Sequence, residues 1–198
     1  MIKITSLTLL LKQKKILNDF PKIFLLGRSN IGKSSFINFF VNQKVAKSSK
    51  RPGKTLFLNH YLVNESFYLI DTPGYGYMKS SLIRKNLVEE IMKNFFKQLK
   101  DDDFVILLLN IFDNIFEIDW YVLKNILKQT KHIFILISKS DKLNQSKKHQ
   151  IKLVLEKKLS EISLEVAKNY AFFSLKNQEL PKNLENQILS FICETPKI

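Results

Sequence analysis

The chain has 198 residues, 45% hydrophobic and 25% charged, which excludes a disordered chain and suits one domain with a core of its own. Its 32 Lys and Arg against 18 Asp and Glu give a net charge of +14, a balance that favours polyanionic partners: RNA, DNA or an anionic membrane surface. The single cysteine, Cys193, excludes an internal disulfide and a cysteine-built metal site, and His60, His132 and His149 share no metal-ligand spacing.

Residues 1–21 read as an N-terminal arm, with a short strand or a turn of helix, ending at Pro21. Lys12, Lys14 and Lys15 follow its Leu-rich patch at once, with no small-residue cleavage site, so no signal peptide is expected. The longest clean apolar run, Phe104 to Leu109, is far too short to cross a bilayer, and the expected location is the cytoplasm. Strand one is Ile23 to Leu26, and a first helix runs from Ser35 to about Val41. Residues 42–55 show no apolar periodicity and read as a long, basic, mobile loop. Phe57 to Val63 and Phe67 to Ile70 form a β-hairpin turning at Asn64-Glu65. Leu82, Ile83, Leu87, Ile91, Phe95 and Leu99 keep helical spacing over 82–99. Strand four is Phe104 to Leu109, followed by a helix from Ile118 to Lys128 with Asp119 near its start. Strand five is Ile133 to Ile137, a basic amphipathic helix covers 145–162, Tyr170 to Phe173 is a short last strand, and Leu184 to Cys193 closes the chain behind Pro181. Strands one, four and five are continuous apolar runs rather than alternating ones, as expected when helices cover both faces. The fold class is therefore α/β: a three-layer, mostly parallel sheet of about six strands with one antiparallel edge strand, in a single domain over 1–198.

The chemistry centres on Gly27-Arg28-Ser29-Asn30-Ile31-Gly32-Lys33-Ser34, which has phosphate-loop spacing between a strand and a helix. Gly27 and Gly32 let the backbone bend around a phosphate, and the following helix adds its positive end. Lys33 can bridge the outer phosphates, and the Ser34 hydroxyl can ligate magnesium. Asp71 ends an apolar strand, well placed for the magnesium shell, and Pro73-Gly74 follows, so that the Gly74 amide can meet a γ-phosphate. Thr55 closes the basic loop and can complete magnesium coordination, with Ser48, Ser49 and Thr72 as competitors. Ser138-Lys139-Ser140-Asp141 follows strand five. A carboxylate there can accept N1–H and the exocyclic amine of guanine, whereas adenine would leave it unpaired. Phe173, Ser174 and Leu175 lie where a backbone amide would meet the guanine carbonyl.

The blocks Gly27–Ser35, Gly53-Lys54-Thr55 behind Pro52, Asp71–Tyr77 and Ser138–Leu143 together resemble the EngB (YihA/YsxC) family of bacterial GTP-binding proteins, in the Era/TrmE-like branch of translation-factor-type GTPases. The resemblance, which runs from about residue 20 onward, implies a P-loop GTPase binding GTP or GDP with Mg2+. It implies a role in assembly of the large ribosomal subunit. Three departures stand out: Ser138 where the family has Thr, Phe173 where it has Ser, and Asn110 and Phe112 where it has Asp and Arg. The expected nucleotide contacts are Gly27 to Ser35, Gly53, Lys54, Thr55, Asp71, Thr72, Pro73, Gly74, Ser138 to Asp141 and Phe173 to Leu175, with Ser34, Thr55 and Asp71 around the metal. Lys33, Thr55 and Gly74 form the catalytic set.

Tyr75 stands where Ras-like proteins place a water-orienting glutamine, so slow intrinsic hydrolysis stimulated by a ribosomal partner is expected. Asn30 matches the asparagine that helps hold a potassium ion in relatives of this branch. The basic loop (Lys44, Lys47, Lys50, Arg51, Lys54) and the basic helix (Lys147, Lys148, Lys152, Lys157, Lys158) are candidate contacts for ribosomal RNA of a large-subunit precursor, with a solvated lysine face as the plainer reading. The expected state off the ribosome is a monomer. Two other readings stay open: a small-molecule phosphotransferase on the same loop, which the scarcity of arginine (Arg28, Arg51, Arg84) disfavours, and a guanine-nucleotide-binding scaffold without hydrolysis.

Overall fold

The apolar runs that carry no alternation become the middle of one sheet. The computed structural model describes residues 4–6, 20–46, 58–76, 90, 92–110, 117–174, 176 and 182–193. Its strands are β1 (Ile4–Ser6), β2 (Lys22–Gly27), β3 (Asn59–Val63), β4 (Phe67–Asp71), β5 (Phe104–Asn110), β6 (Ile133–Ser138) and β7 (Tyr170–Phe172). Its helices are α1 (Lys33–Phe40), α2 (92–98), α3 (Glu117–Leu127), α4 (Gln145–Ile162) and α5 (Lys182–Cys193). The strand order is β1-β3-β4-β2-β5-β6-β7. Neighbours from β4 to β7 pair in parallel, whereas β3 is antiparallel to both β1 and β4.

The α/β fold class holds, with β3 as the one strand of opposite direction. The sheet has a seventh strand beyond the expected number: β1, from the N-terminal arm, pairs Ile4 with Val63 and Ser6 with Tyr61, so β3 lies one place in from the edge. Covering β3 satisfies the ladder groups that an open edge strand would leave exposed. The hairpin between β3 and β4 turns where expected. Asn64 and Glu65 have φ of 50° and 53°, and Ser66 N–H donates to the Val63 carbonyl at 2.9 Å. Two successive positive φ values at the centre of the turn Val63–Ser66 are the type I′ pattern, whose twist matches the strands.

Alternate residues of each buried strand feed two cores. Phe24, Leu26, Val105, Leu107, Ile135 and Ile137 face Phe95, Leu123, Ile126, Leu155 and Leu159 on α2, α3 and α4. Ile23, Leu25, Ile106, Leu108 and Leu136 face Phe36, Ile37, Phe40, Leu184 and Ile188 on α1 and α5. Every residue of β4, β5 and β6 is buried, as strands covered on both faces require.

The stretch expected to be a loose loop from residue 42 begins as an anchored one. Asn38 of α1 accepts from the Val45 and Ala46 amides at 2.9 and 2.7 Å and donates to the Ala46 carbonyl at 2.7 Å. One side chain thus holds three backbone groups, and Ala46 is buried. Residues 47–57 lie outside the described residues, as do residues 82–89 of the predicted helix over 82–99. Among the described residues, no helix is long and apolar enough to cross a membrane.

The register brings the working ends of the strands level. Leu25 pairs with Asp71, Gly27 with Leu108, Asn110 with Ser138 and Ile137 with Phe172. The segments after β2, β4, β5, β6 and β7 therefore leave one carboxyl edge. The chain reverses its winding on either side of β2, where ligands of such sheets bind.

Candidate functional site

The phosphate loop forms because glycine stands where other residues would collide. A Cβ on Gly27 would lie 2.8 Å from the Leu108 carbonyl and 2.9 Å from Ile31 Cγ2. Gly32 has φ 114°, in the region that favours glycine, and caps α1 with no side chain and no acidic residue in the first turn. The positive end of α1 thus carries no built-in counter-charge, which is what an anion site needs. Asn30 also sits at positive φ, 61°.

Lys33 is almost fully buried, and its Nζ donates to the Gly27 and Arg28 carbonyls at 2.9 and 3.1 Å, so the ammonium lies across the loop. Burial pushes its pKa down to about 8, against the pull of the Asp71 carboxylate. The Ser34 hydroxyl donates to Asp71 Oδ2 at 2.6 Å. Burial raises the Asp71 carboxyl, while the Ser34 hydrogen bond and the Lys33 charge oppose the rise. Its Oδ1 is buried with no hydrogen-bond partner. A hydroxyl and a carboxylate whose second oxygen is orphaned, at the base of a phosphate loop, fit a hard cation with oxygen ligands.

Residues 73–76 lie directly on the loop. Ser29 N–H donates to the Tyr75 carbonyl at 3.0 Å, Ser29 Oγ to the Gly74 carbonyl at 3.2 Å, and Arg28 and Tyr75 form a parallel bridge. A Cβ on Gly74 would fall 2.5 Å from Ser29 Cα, so only glycine allows this approach. Tyr75 is buried, and its hydroxyl donates to Asp119 Oδ1 of α3 at 2.8 Å. Asp119 Oδ2 lies 3.9 Å from Arg28 Nε. The Tyr75 phenol is thus fixed and turned towards α3.

At the other end of the edge, Lys139 takes φ 62° and starts the short 3-10 turn Ser140–Lys142. Asp141 Oδ1 accepts from the Ser174 hydroxyl at 2.6 Å, and Oδ2 pairs with Lys176 Nζ at 3.1 Å. The Ser174 hydrogen bond is the largest cause holding this carboxyl below its ordinary range, and Lys176 adds to it. The Ser140 amide donates to the Phe173 carbonyl at 3.0 Å, joining the two loops that would face a base.

Residues 22–157 match the model of a family described as 50S ribosome-binding GTPase. The chain belongs to this GTPase family. Within it, the chain is 36% identical over 126 residues to the probable GTP-binding protein EngB of Mesomycoplasma hyopneumoniae, spanning 64% of each chain. It is 38% identical over 143 residues to that of Lactobacillus gasseri, covering 72% of this chain and 74% of that one. Two solved structures share the fold: Era in complex with MgGDPNP and a piece of 16S ribosomal RNA (TM-score 0.67, 21% identity, 90% of this chain and 58% of that one), and a probable GTP-binding protein EngB (TM-score 0.66, 22% identity, 87% and 99%).

In this member of the family, several expected contact residues have other work. The Thr72 hydroxyl donates to the Leu25 carbonyl at 2.6 Å and ties β4 to β2. Thr72→Val is therefore expected to cost about 1 kcal/mol of stability, read as a lower melting temperature, with GDP affinity unchanged. A loss of GDP affinity at constant melting temperature would contradict that role. The Ser138 hydroxyl donates to the Leu109 carbonyl, so Ser in place of Thr keeps a structural bond. The Phe173 ring is buried edge-on against Phe36 and Phe39, and its amide donates to the Ile137 carbonyl. Gly53, Lys54, Thr55, Leu175 and Phe112 lie outside the described residues, and Asn110 is buried at the end of β5. Asp119 was missed by the sequence because an acid at a helix start reads as a dipole partner. The signal was present: Val122, Leu123 and Ile126 at helical spacing place residue 119 on the inward face.

Proposed function

We propose that the protein is a GTP-controlled switch that hydrolyses GTP slowly to GDP and phosphate in the assembly of the large ribosomal subunit. The observation that carries the reading is the Ser34–Asp71 pair, with its orphaned Oδ1, on the same sheet edge as the Asp141 carboxylate. The first suits magnesium beside a phosphate chain, the second a guanine ring. Ser34 and Asp71, with Thr55, would hold the ion, which supplies charge neutralisation at the β–γ bridge. Lys33 and the loop amides take the phosphates. The Gly74 amide takes the γ-phosphate and lifts from Ser29 to do so. Potassium is an additional cation expected near the phosphates, with Asn30 as its candidate ligand.

The partner is a large-subunit precursor, met through ribosomal RNA by a single cytoplasmic G domain that is a monomer off the ribosome. The basic charge supports this, as does a groove between α3 and α4 lined by Trp120, Lys124, Lys128 and Lys158. Lys158 Nζ lies 5.8 Å from the Trp120 ring centre. Lysines beside an aromatic face suit phosphates and a stacked base. Trp120 is the only tryptophan. Titration with a ribosomal RNA fragment at graded salt is expected to change its fluorescence, with affinity falling as salt rises. Binding with no change in that fluorescence would move the contact elsewhere.

The commitment of the Tyr75 hydroxyl to Asp119 favours a second reading, a guanine-nucleotide-binding scaffold without hydrolysis. Co-sedimentation with large-subunit particles, with phosphate release followed in parallel, separates the two. The switch requires binding that differs between a GTP analogue and GDP, and phosphate release that rises with particles present. Equal binding in both nucleotides and no release would favour the scaffold.

A further inference from the structure

Arg28, Tyr75 and Asp119 meet behind the phosphate loop, and neither the phosphate cradle nor the guanine reader accounts for their arrangement. We propose that Asp119 is a positioning residue: by accepting the Tyr75 hydroxyl it latches residues 73–76 down on the phosphate loop and so sets the balance between GDP and GTP. The proposal rests on the switch reading above and names the part of the chain that biases it.

Residues 74 and 75 are gripped from two sides. From the loop, Ser29 holds the Gly74 and Tyr75 carbonyls through its hydroxyl and amide. From α3, Asp119 holds the far end of the Tyr75 side chain at 2.8 Å. Tyr75 is 6% exposed and Asp119 2%, so their bond is shielded from water, where a charge-assisted hydrogen bond is strong. Burial, and then Asp119 itself, raise the phenol's pKa well above its ordinary range, which keeps it a neutral donor. Arg28, with its Nε 3.9 Å from Asp119 Oδ2, places a positive charge beside the carboxylate and shares a backbone bridge with Tyr75. The same carboxylate is thus tied to the loop and to the segment lying on it.

Gly74 touches Ser29 so closely that a single added carbon would overlap it. A phosphate that reaches the Gly74 amide must part these two residues. Parting them draws Tyr75 away from Asp119. A nucleotide that ends at the β-phosphate demands no such separation. The latch therefore costs GTP and spares GDP, and because Asp119 belongs to α3, anything that shifts α3 also shifts the balance.

The test is the affinity of the full chain for fluorescent GDP and for a non-hydrolysable GTP analogue, in wild type, Tyr75→Phe, Asp119→Ala and Asp119→Asn. Tyr75→Phe and Asp119→Ala are each expected to raise the ratio of GTP-analogue to GDP affinity about tenfold, the loss of one charge-assisted hydrogen bond from the latched state. The double variant Tyr75→Phe/Asp119→Ala should go no further than either single one, because both remove the same bond. Asp119→Asn keeps an oxygen that can accept from the phenol but loses the charge, so its ratio should fall between those of wild type and Asp119→Ala. A ratio unchanged in Tyr75→Phe, or affinities for both nucleotides falling alike, would overturn the proposal and leave Asp119 a support of the fold. Tyr75→Phe removes one oxygen atom, so it keeps the test available if Asp119→Ala does not fold. Failure of the wild type to prefer guanine over adenine nucleotides would instead overturn the switch reading.

Discussion

Asp141→Asn is expected to weaken GDP binding by about a hundredfold or more and to move the preference towards xanthosine diphosphate. The Asp141 carboxyl is held below its ordinary range by the Ser174 hydroxyl and then by Lys176, so it is ionised and can only accept hydrogen bonds. Guanine offers a matching pair of donors, N1–H and the 2-amino group. An asparagine presents one acceptor and one donor, so its amide faces the guanine 2-amino group donor to donor. Xanthine, with a carbonyl at that position, pairs with it. Before nucleotide binds, Asp141 Oδ2 is paired with the exposed Lys176 ammonium, which the base must displace. Competition of guanosine, xanthosine and adenosine diphosphates against fluorescent GDP reads the change. An Asp141→Asn protein that still prefers GDP would remove Asp141 from base recognition.

Lys33→Met is expected to abolish tight binding of nucleotide phosphates while making the nucleotide-free protein more stable. The ammonium is buried, with two carbonyls and the Asp71 carboxylate about it, and its pKa falls to about 8. At neutral pH it is still charged in both folded and unfolded chains, and the shift corresponds to a penalty on the order of 3 kcal/mol on the charged folded form. That penalty is fully present below pH 8 and fades as pH rises towards the ordinary lysine value, because the folded chain then sheds a proton the unfolded one keeps. Methionine fills the stem's space without the charge. Melting curves should show a higher midpoint for Lys33→Met without nucleotide, and no upward shift on adding GDP and magnesium. A large fall in the nucleotide-free midpoint would mean that Lys33 braces the loop rather than straining it.

The strands were legible because their chemistry is local. Phe104 to Leu109 and Ile133 to Ile137 are too uniformly apolar to face water on either side. Gly27, Gly32, Lys33, Ser34 and Asp71 were legible because a phosphate loop needs those residue types at that spacing. β1 was not specified, because Ile4-Thr5-Ser6 has no pattern of its own and becomes a strand only through the ladder β3 offers it. Nor was the anchoring of residues 45 and 46, which depends on Asn38 in a helix already formed. Tyr75 and Asp119 are 44 positions apart, and nothing local to either foretells their bond. The sequence puts Tyr75 next to Gly74, but the direction of its phenol follows from Asp119 on the inward face of α3.

The central claim is that this sheet edge holds a guanine nucleotide by its phosphates and its base together. Displacement of fluorescent GDP from the full chain in magnesium buffer by GDP, GTP and ADP tests it most directly. The expected result is displacement by GDP and GTP, with ADP requiring at least about a hundredfold higher concentration. Equal displacement by ADP would contradict it, leaving a phosphate loop that does not read the base.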